Sequence, residues 1–500
     1  MHVASSQVCM RWRSIALHCP TIWGPIIHYS QHSLKWIETL LDRSHPSSLD
    51  FGSRITRIDT DDLEDGGQGV LELVFNHIDR LRIFNLEIPD SFWELVCSRF
   101  LQLPAPNLEF VNVTVFSTDT RYPIVQQLTH PIFHNHAPNL QNLQLRQCRV
   151  DFTSPTLSRL TELYVRDIAP WGDHTVHDWL NIFGGMPSLR WVTLIRAIST
   201  WSSSSVIYPI IHLASLEMLS VDDGSRESVT LIEHLIVPPR CGLRFRCDDA
   251  HIWLDQPKLW AIIEKKVDSW AKNVPNRYLE VWDTRSIFAF RNLQHGLNDV
   301  AWGTEAEVLH NKQYNEHIHL LDPVMTVTLH LSNPHDTFLP LLSLFALFER
   351  TFSDTTHLKL CINNGLDNGP ENFLPLVDMF RGFVNLKEIY LQFDSLLLLL
   401  LPLLQRSLPN SVLLPALQSL RLRNTILNHT SSSLLRVADF LQWRGEQGFP
   451  VQNIHIADTV INRKLILTHI RFQDTVVEID DSNYSDSESV DDISEDEDDN

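Results

Sequence analysis

One short pattern of apolar and polar positions recurs along the chain. An apolar residue is followed by two variable residues, a second apolar residue, one variable residue and a third apolar residue. The clearest copies are Leu108–Val111–Val113, Leu140–Leu143–Leu145, Leu160–Leu163–Val165, Leu189–Val192–Leu194 and Leu216–Leu219–Val221. A second series runs Val324–Val327–Leu329, Leu386–Ile389–Leu391 and Leu417–Leu420–Leu422. Weaker copies stand at Ile78–Leu81–Ile83, Leu358–Leu360–Ile362 and Val451–Ile454–Ile456. The last two apolar residues are two apart, so on a strand they point to one face. The first falls where the chain turns into that strand, often just after Pro-Asn, Pro-Ser or Pro-Ala.

Between these strands the apolar spacing becomes helical. Trp179, Leu180 and Phe183 form one helix face that Gly184-Gly185 ends, and Leu341, Leu342, Leu344, Phe345, Leu347 and Phe348 form another. A strand and helix of this size cannot bury their own apolar faces, so neighbours must stack. Steps of roughly 20 to 32 residues between strong copies are those of leucine-rich repeats and their looser relatives. The expected fold is therefore α/β, a leucine-rich-repeat-like solenoid whose first part covers 31–240 and second part 311–473. The segment 241–310 keeps the repeat poorly and reads as irregular repeats or an insertion. It holds one strand (Leu243, Phe245), an amphipathic helix (Trp260, Ile263, Val267, Trp270) and Leu279–Trp282. A doubly wound α/β sheet would also alternate strands and helices, but no G-x-G-x-x-G or G-x-x-x-x-G-K-[ST] turn is present to cradle a phosphate.

Composition narrows the class. With 43% hydrophobic and 20% charged residues, the 500-residue chain has ample core. The net charge of −21 is concentrated at the end: residues 474–500 hold thirteen Asp or Glu and no Lys or Arg, which leaves −8 for the rest. Like charges repel, so 474–500 is expected to be a disordered acidic tail. Within it Ser485, Ser489 and Ser494 each precede an acidic residue by three positions, which makes them phosphorylation candidates. No basic domain stands out, so nucleic acid is not an expected partner. Seven scattered cysteines without C-x-x-C pairs fit a reduced, cytoplasmic or nuclear protein. The run Leu396–Leu404 is too short to span a bilayer and reads as a buried helix, so no membrane is expected.

Residues 1–30 carry a separate signal. Val8, Trp12, Ile15 and Ala16 lie on one helix face, Ser5 or Ser6 can cap its start, Pro20 ends it, and Trp23 follows on a second short turn. This string resembles the C-terminal half of the F-box of large fungal protein families, with Val8, Cys9, Trp12, Arg13, Ile15, Ala16, Leu17, Pro20 and Trp23 matching its pattern. The Leu-Pro helix that opens such a motif is expected to be missing, since Met1 stands only seven residues before Val8. The resemblance implies that Val8, Cys9, Trp12, Ile15, Leu17, Pro20 and Trp23 bind the Skp-type adaptor of a cullin-RING ubiquitin ligase. The repeats would then bind a protein substrate. Alternatively Trp12 and Trp23 simply cover the end of the first repeat.

Other chemistry finds little support. His174-Thr-Val-His177 lacks the glutamate of a zinc-protease helix, and His134/His136 and His317/His319 are pairs expected by chance among 24 histidines. Asp222-Asp223 before Gly224 reads as a turn. No nucleophile elbow, kinase signature or zinc-finger spacing occurs, so no catalytic residue, metal or cofactor is expected. The sequence favours a non-catalytic substrate receptor of an F-box-type ligase. The competing readings are a stand-alone repeat scaffold with a degenerate F-box and, more remotely, a hydrolase-like enzyme with an unfamiliar site.

Overall fold

A computed structural model describes residues 10–26, 33–52, 68–116, 126–127, 131–168, 174–199, 207–247, 257–273, 278–283, 287–293, 325–330, 353–362, 380–392, 401, 404–405, 412–423, 426–427, 432–457, 460–461 and 475–479. The protein is mixed α/β with parallel sheets. It divides into two compact units, Met1–Pro275 with Ser286–Pro340, and Asn276–Arg285 with Leu341–Asn500.

The first unit opens with helices α1 (Met10–Leu17), α2 (Pro20–Trp23) and α3 (Leu34–Ser44). Strands β1 (Leu49–Phe51), β2 (Leu81–Pro89), β3 (Phe110–Phe116) and β4 (Asn142–Arg146) follow. Then come β5 (Glu162–Arg166), β6 (Trp191–Ile195), β7 (Met218–Asp222) and β8 (Gly242–Cys247). These eight pair in chain order, each parallel to the next. The order never reverses, so this run contains no switch point of a doubly wound sheet. Strand β9 (Tyr278–Asp283) belongs to the second unit, whereas β10 (Ile287–Leu293) and β11 (Met325–His330) belong to the first. Strand β11 runs parallel to β8 and antiparallel to β10. The helices that cross between strands include α4 (Gln68–Phe75), α5 (Trp93–Val96), α6 (Val176–Gly184), α7 (Ser225–Glu233) and α8 (Pro257–Ala271).

Register explains the apolar pattern. Phe84, Val111, Leu143, Leu163, Val192, Leu219 and Leu243 are partners across the ladder, and so are Leu86, Val113, Leu145, Val165, Leu194, Val221 and Phe245. All are buried. Three residues before the first column lie Leu81, Leu108, Leu140, Leu160, Leu189 and Leu216, which are also buried. Truncating any one of these leucines to alanine removes contacts worth about 2–5 kcal/mol. The copy Ile78–Leu81–Ile83 is corrected here: Phe84 pairs with Val111, so the true triplet is Leu81–Phe84–Leu86 and Ile83 lies on the opposite face.

Several of the described strands are entered through one repeated turn. The N–H of Leu108 bonds Ala105 O (3.2 Å), Leu140 bonds Ala137 O (3.2 Å), Leu189 bonds Met186 O (3.3 Å) and Leu216 bonds Leu213 O (3.2 Å). The residues opening these four turns, Ala105, Ala137, Met186 and Leu213, are buried and add a fourth apolar position to the pattern. Proline after it in Ala105-Pro106-Asn107-Leu108 and Ala137-Pro138-Asn139-Leu140 presets the turn's φ. The asparagine then ties its unit to the one before: Asn107 Nδ2 donates to Asp79 O (2.6 Å) and Asn139 Nδ2 to Pro106 O (2.9 Å). Large side chains fill the space behind the strands. Phe84 and Phe100 lie 3.8 Å apart, with Phe51, Phe75 and Phe133 packed around them.

The second unit repeats the scheme. Strand β9 pairs parallel with β12 (His357–Ile362), followed in order by β13 (Glu388–Gln392), β14 (Ser419–Arg423), β15 (Asn453–Ala457) and β16 (Val476–Ile479), so the start of the stretch expected to be a disordered tail is instead a paired strand. Its columns are Leu358–Ile389–Leu420–Ile454 and Leu360–Leu391–Leu422–Ile456, all buried. The copy Leu358–Leu360–Ile362 is therefore shifted as well: the position three before Leu358 is Thr355, fully buried. Helix α9 (Ser432–Glu446) carries the buried Arg444. Its guanidinium donates to Leu413 O (3.0 Å), Leu414 O (3.1 Å) and Phe449 O (2.9 Å), satisfying carbonyls that the turn leaves over. Of the run Leu396–Leu404, the described Leu401 and Leu404 are helical and buried. The helix expected over Leu341–Phe348 lies outside the described residues.

Candidate functional site

Two places collect the residues that sequence and structure single out. The first is the N-terminal helical cap. Proline at Pro20 does not merely end α1; it stands at the start of α2, where its missing N–H costs nothing. Trp23 is 1% exposed, and its indole N–H donates to Ala16 O at 2.7 Å, which fastens α1 to α2. The Arg43 guanidinium of α3 stacks over the Trp23 ring at 5.0 Å and over Trp36 at 5.2 Å. Gly24 is where the cap meets β1, since a Cβ there would collide with the Ser48 carbonyl.

The expected adaptor-binding residues thus part company. Ile15 (49% exposed) and Leu17 (37%) face solvent on α1 beside Met10 (90%), whereas Trp23 is inside and Pro20 half-buried. Trp12 is placed on α1; Val8 and Cys9 lie outside the described residues, as do Ser485, Ser489 and Ser494. What α1 offers a partner is therefore a few exposed apolar side chains, Met10 and Leu17 on one side of the helix and Ile15 on another, with Trp23 as the anchor beneath it.

The second place is the end of the sheet in the first unit, on the row Arg146–Arg166–Ile195–Asp222–Arg246. After β4, β5 and β6 the chain turns through left-handed residues: Gln147 (φ 55°), Asp167 (φ 59°) and Arg196 (φ 47°). Each turn is held by a backbone bond to the next strand: Gln147 N–H to Arg166 O (2.9 Å), Asp167 N–H to Ile195 O (2.9 Å) and Arg196 N–H to Asp222 O (2.8 Å). This geometry brings three guanidinium groups onto one carboxylate. Asp167, 9% exposed, meets Arg146 Nε at 3.4 Å, Arg166 Nε at 3.3 Å and Arg196 Nε at 2.6 Å. Burial works to lower the Arg166 pKa, but its hydrogen bond to Tyr164 and the charge of Asp167 outweigh that and raise it. Sequence reading missed this cluster. The signal present was arginine recurring just past the last core residue of Leu143-Gln-Leu-Arg146, Leu163-Tyr-Val-Arg166 and Leu194-Ile-Arg196.

Next to it, Asp223 does more than form a turn. Its Oδ2 accepts the N–H groups of Ala197 (2.6 Å) and Ile198 (2.8 Å), and its Oδ1 that of Gly224 (2.9 Å). Burial pushes this carboxyl up to about 6, against the downward pull of those three donors. A carboxyl whose folded pKa exceeds the unfolded value takes up a proton on folding, so its contribution to stability grows as pH falls through 6 towards 4. Between pH 6.5 and 4.5 the wild type should gain about 1–2 kcal/mol relative to Asp223→Asn. Denaturant melts of both proteins across that window check this, and parallel stability–pH curves would refute it.

The remaining candidates have structural surroundings. His174 packs against Phe152 (5.2 Å) and Trp179 (5.6 Å), and Thr175 with Asp178 forms a capping box that starts α6 just before His177. Burial pushes the Cys97 and Cys241 thiols up to about 12 and raises Cys148 as well, away from the thiolate form. Among the described residues no cluster of His, Cys, Asp or Glu could hold a metal ion, and no helix is long and apolar enough to cross a membrane. Compared with known proteins, the chain matches no family model and no curated protein.

Proposed function

We propose that the protein is a non-catalytic target receptor of an F-box-type cullin-RING ubiquitin ligase. It would be built as a leucine-rich-repeat-like solenoid behind a partial F-box. The observation that carries the proposal is that the apolar residues Met10, Ile15 and Leu17 are exposed on a helix that Trp23 fixes to the edge of an in-register parallel ladder. A Skp-type adaptor would cover these side chains by wrapping the helix. The parallel, chain-order runs β1 to β8 and β12 to β16 support the solenoid, because stacked repeats are an arrangement in which strands pair with their sequence neighbours, while β9, β10 and β11 depart from that order. The action is proximity: one chain holds adaptor and target together and raises the target's effective concentration at the ligase.

Burial of Trp23 within the chain also favours a second reading, in which α1 and α2 are only the terminal cover of a stand-alone interaction scaffold. One variant separates the two. Ile15→Asp/Leu17→Asp changes only exposed side chains, so melting temperature should stay unchanged while binding to a co-expressed fungal Skp-type adaptor weakens by more than about 1 kcal/mol. Equal adaptor retention by wild type and variant, or none by the wild type, would favour the scaffold.

A further inference from the structure

We propose that Lys266 is a capture site for short-chain aldehydes, condensing with them to an imine inside a small apolar cavity of the first unit. The inference is independent of the ligase reading.

The cavity lies where α7, α8, β7 and β8 meet. Its volume is about 40 Å³, and its walls include Leu219, Ile232, Pro238, Leu243, Lys266 and Ser269. One water molecule needs about 10–15 Å³ on that scale, so the space suits a ligand of about three or four heavy atoms. Walls that are mostly apolar favour an alkyl group over a polar one.

Lys266 brings the one amine to these walls. It is half-buried, and among the described residues no carboxylate pairs with it; its Nζ reaches Leu235 O at 3.4 Å. On the same helix Lys272 is paired with Asp268 at 2.6 Å. A buried ammonium without a counter-charge gains from losing its proton. Burial holds the Lys266 pKa below the ordinary lysine value, against the pull of Cys241 and with the help of Lys265. The neutral amine that attacks carbonyls is therefore more abundant here than at an exposed lysine. Cys241 lines the same cavity but does not compete, because its thiol, pushed up to about 12, keeps its proton.

The step balances without an oxidant or reductant. The Nζ lone pair attacks the carbonyl carbon, a C–N bond forms, and the C=O electron pair moves to oxygen, which takes up a proton. That oxygen then leaves as water, the nitrogen gives up a proton, and the product is an imine. The Ser269 hydroxyl, three residues on along the same helix face, is the donor for the carbonyl oxygen.

The test treats the full chain near neutral pH with propanal and sodium cyanoborohydride, which fixes each imine as a stable amine. Peptide mass spectrometry then locates the label. Lys266 should react about tenfold faster than Lys265 and Lys272, because the cavity holds the aldehyde beside its Nζ. Pyrene-1-carboxaldehyde, too large to enter, should show no such preference, and concentrated urea should remove it for propanal. Lys266→Met should delete the fast phase and leave the slow labelling of the other lysines unchanged. Labelling of Lys266 no faster than that of Lys265 and Lys272, an equal preference with the bulky aldehyde, or a preference that persists in urea would each overturn the proposal.

Discussion

Replacing Trp179 by alanine should destabilise the first unit by about 3–5 kcal/mol, the range for a fully buried aromatic. Trp179 has no exposed surface, and its ring packs against Phe152 at 5.2 Å and Phe183 at 5.7 Å. Its indole N–H donates to Ala197 O at 3.0 Å, and Ala197 N–H is itself held by Asp223. The side chain thus joins helix α6 to the corner after β6, which the ladder already fixes on both sides. Such surroundings collapse little into a void, so the cost should fall in the upper part of the range. Trp179→Phe keeps much of the packing and loses the hydrogen bond, adding about 1 kcal/mol to a smaller cavity term. Chemical denaturation followed by tryptophan fluorescence and circular dichroism would measure both. A loss below about 1 kcal/mol for the alanine variant would mean that the α6–strand contact contributes little to the stack.

Trp23→Ala should be comparably costly, with a local consequence. The strands β1 to β8 pair in chain order, so damage at the N-terminal end should open that end before the rest. Loss of the Trp23 ring removes the bond to Ala16 O and the surface on which Arg43 lies. Amide exchange over 10–26 should accelerate by orders of magnitude, while the amides of β4 to β7 keep their protection. If the chain binds a Skp-type adaptor as proposed, that binding should fall too, through loss of the helix that displays Ile15 and Leu17. The two routes to lost binding are distinguishable, because Ile15→Asp/Leu17→Asp should leave exchange over α1 unchanged. Uniform acceleration across the first unit in Trp23→Ala would show that the cap is integral to the stack.

Much of the architecture could be read from the leucines. Leu140–Leu143–Leu145 and Leu417–Leu420–Leu422 show their pattern because the inward positions are all apolar and the outward ones are not. The errors arose where that contrast fails. In Ile78-Asp-Arg-Leu81-Arg-Ile83-Phe84-Asn-Leu86 two overlapping triplets fit equally well, and only pairing with Val111 selects the later one. Before Leu358 the buried first position is Thr355, a polar residue that hides the repeat. Strand β1 escaped because Leu49-Asp50-Phe51 is short and has a buried acid, which Arg82 neutralises. The N-terminal helix was legible as a helix, but not the division of labour within it: a buried Trp23 and an exposed Ile15 are both large and apolar in sequence. The arginine cluster was the least legible feature. Its arginines come from successive repeats 20 and 30 residues apart, and left-handed turns at non-glycine residues, which no local signal announces, aim them at Asp167.

The most direct test of the receptor reading is a hydrogen-exchange footprint of the full chain with and without a purified fungal Skp-type adaptor. The account predicts a complex in which residues 10–26 gain protection, centred on Ile15 and Leu17, while the ladder strands β3 to β7 exchange as they do in the free chain. No complex, or protection confined to the sheet with α1 exchanging freely, would contradict it.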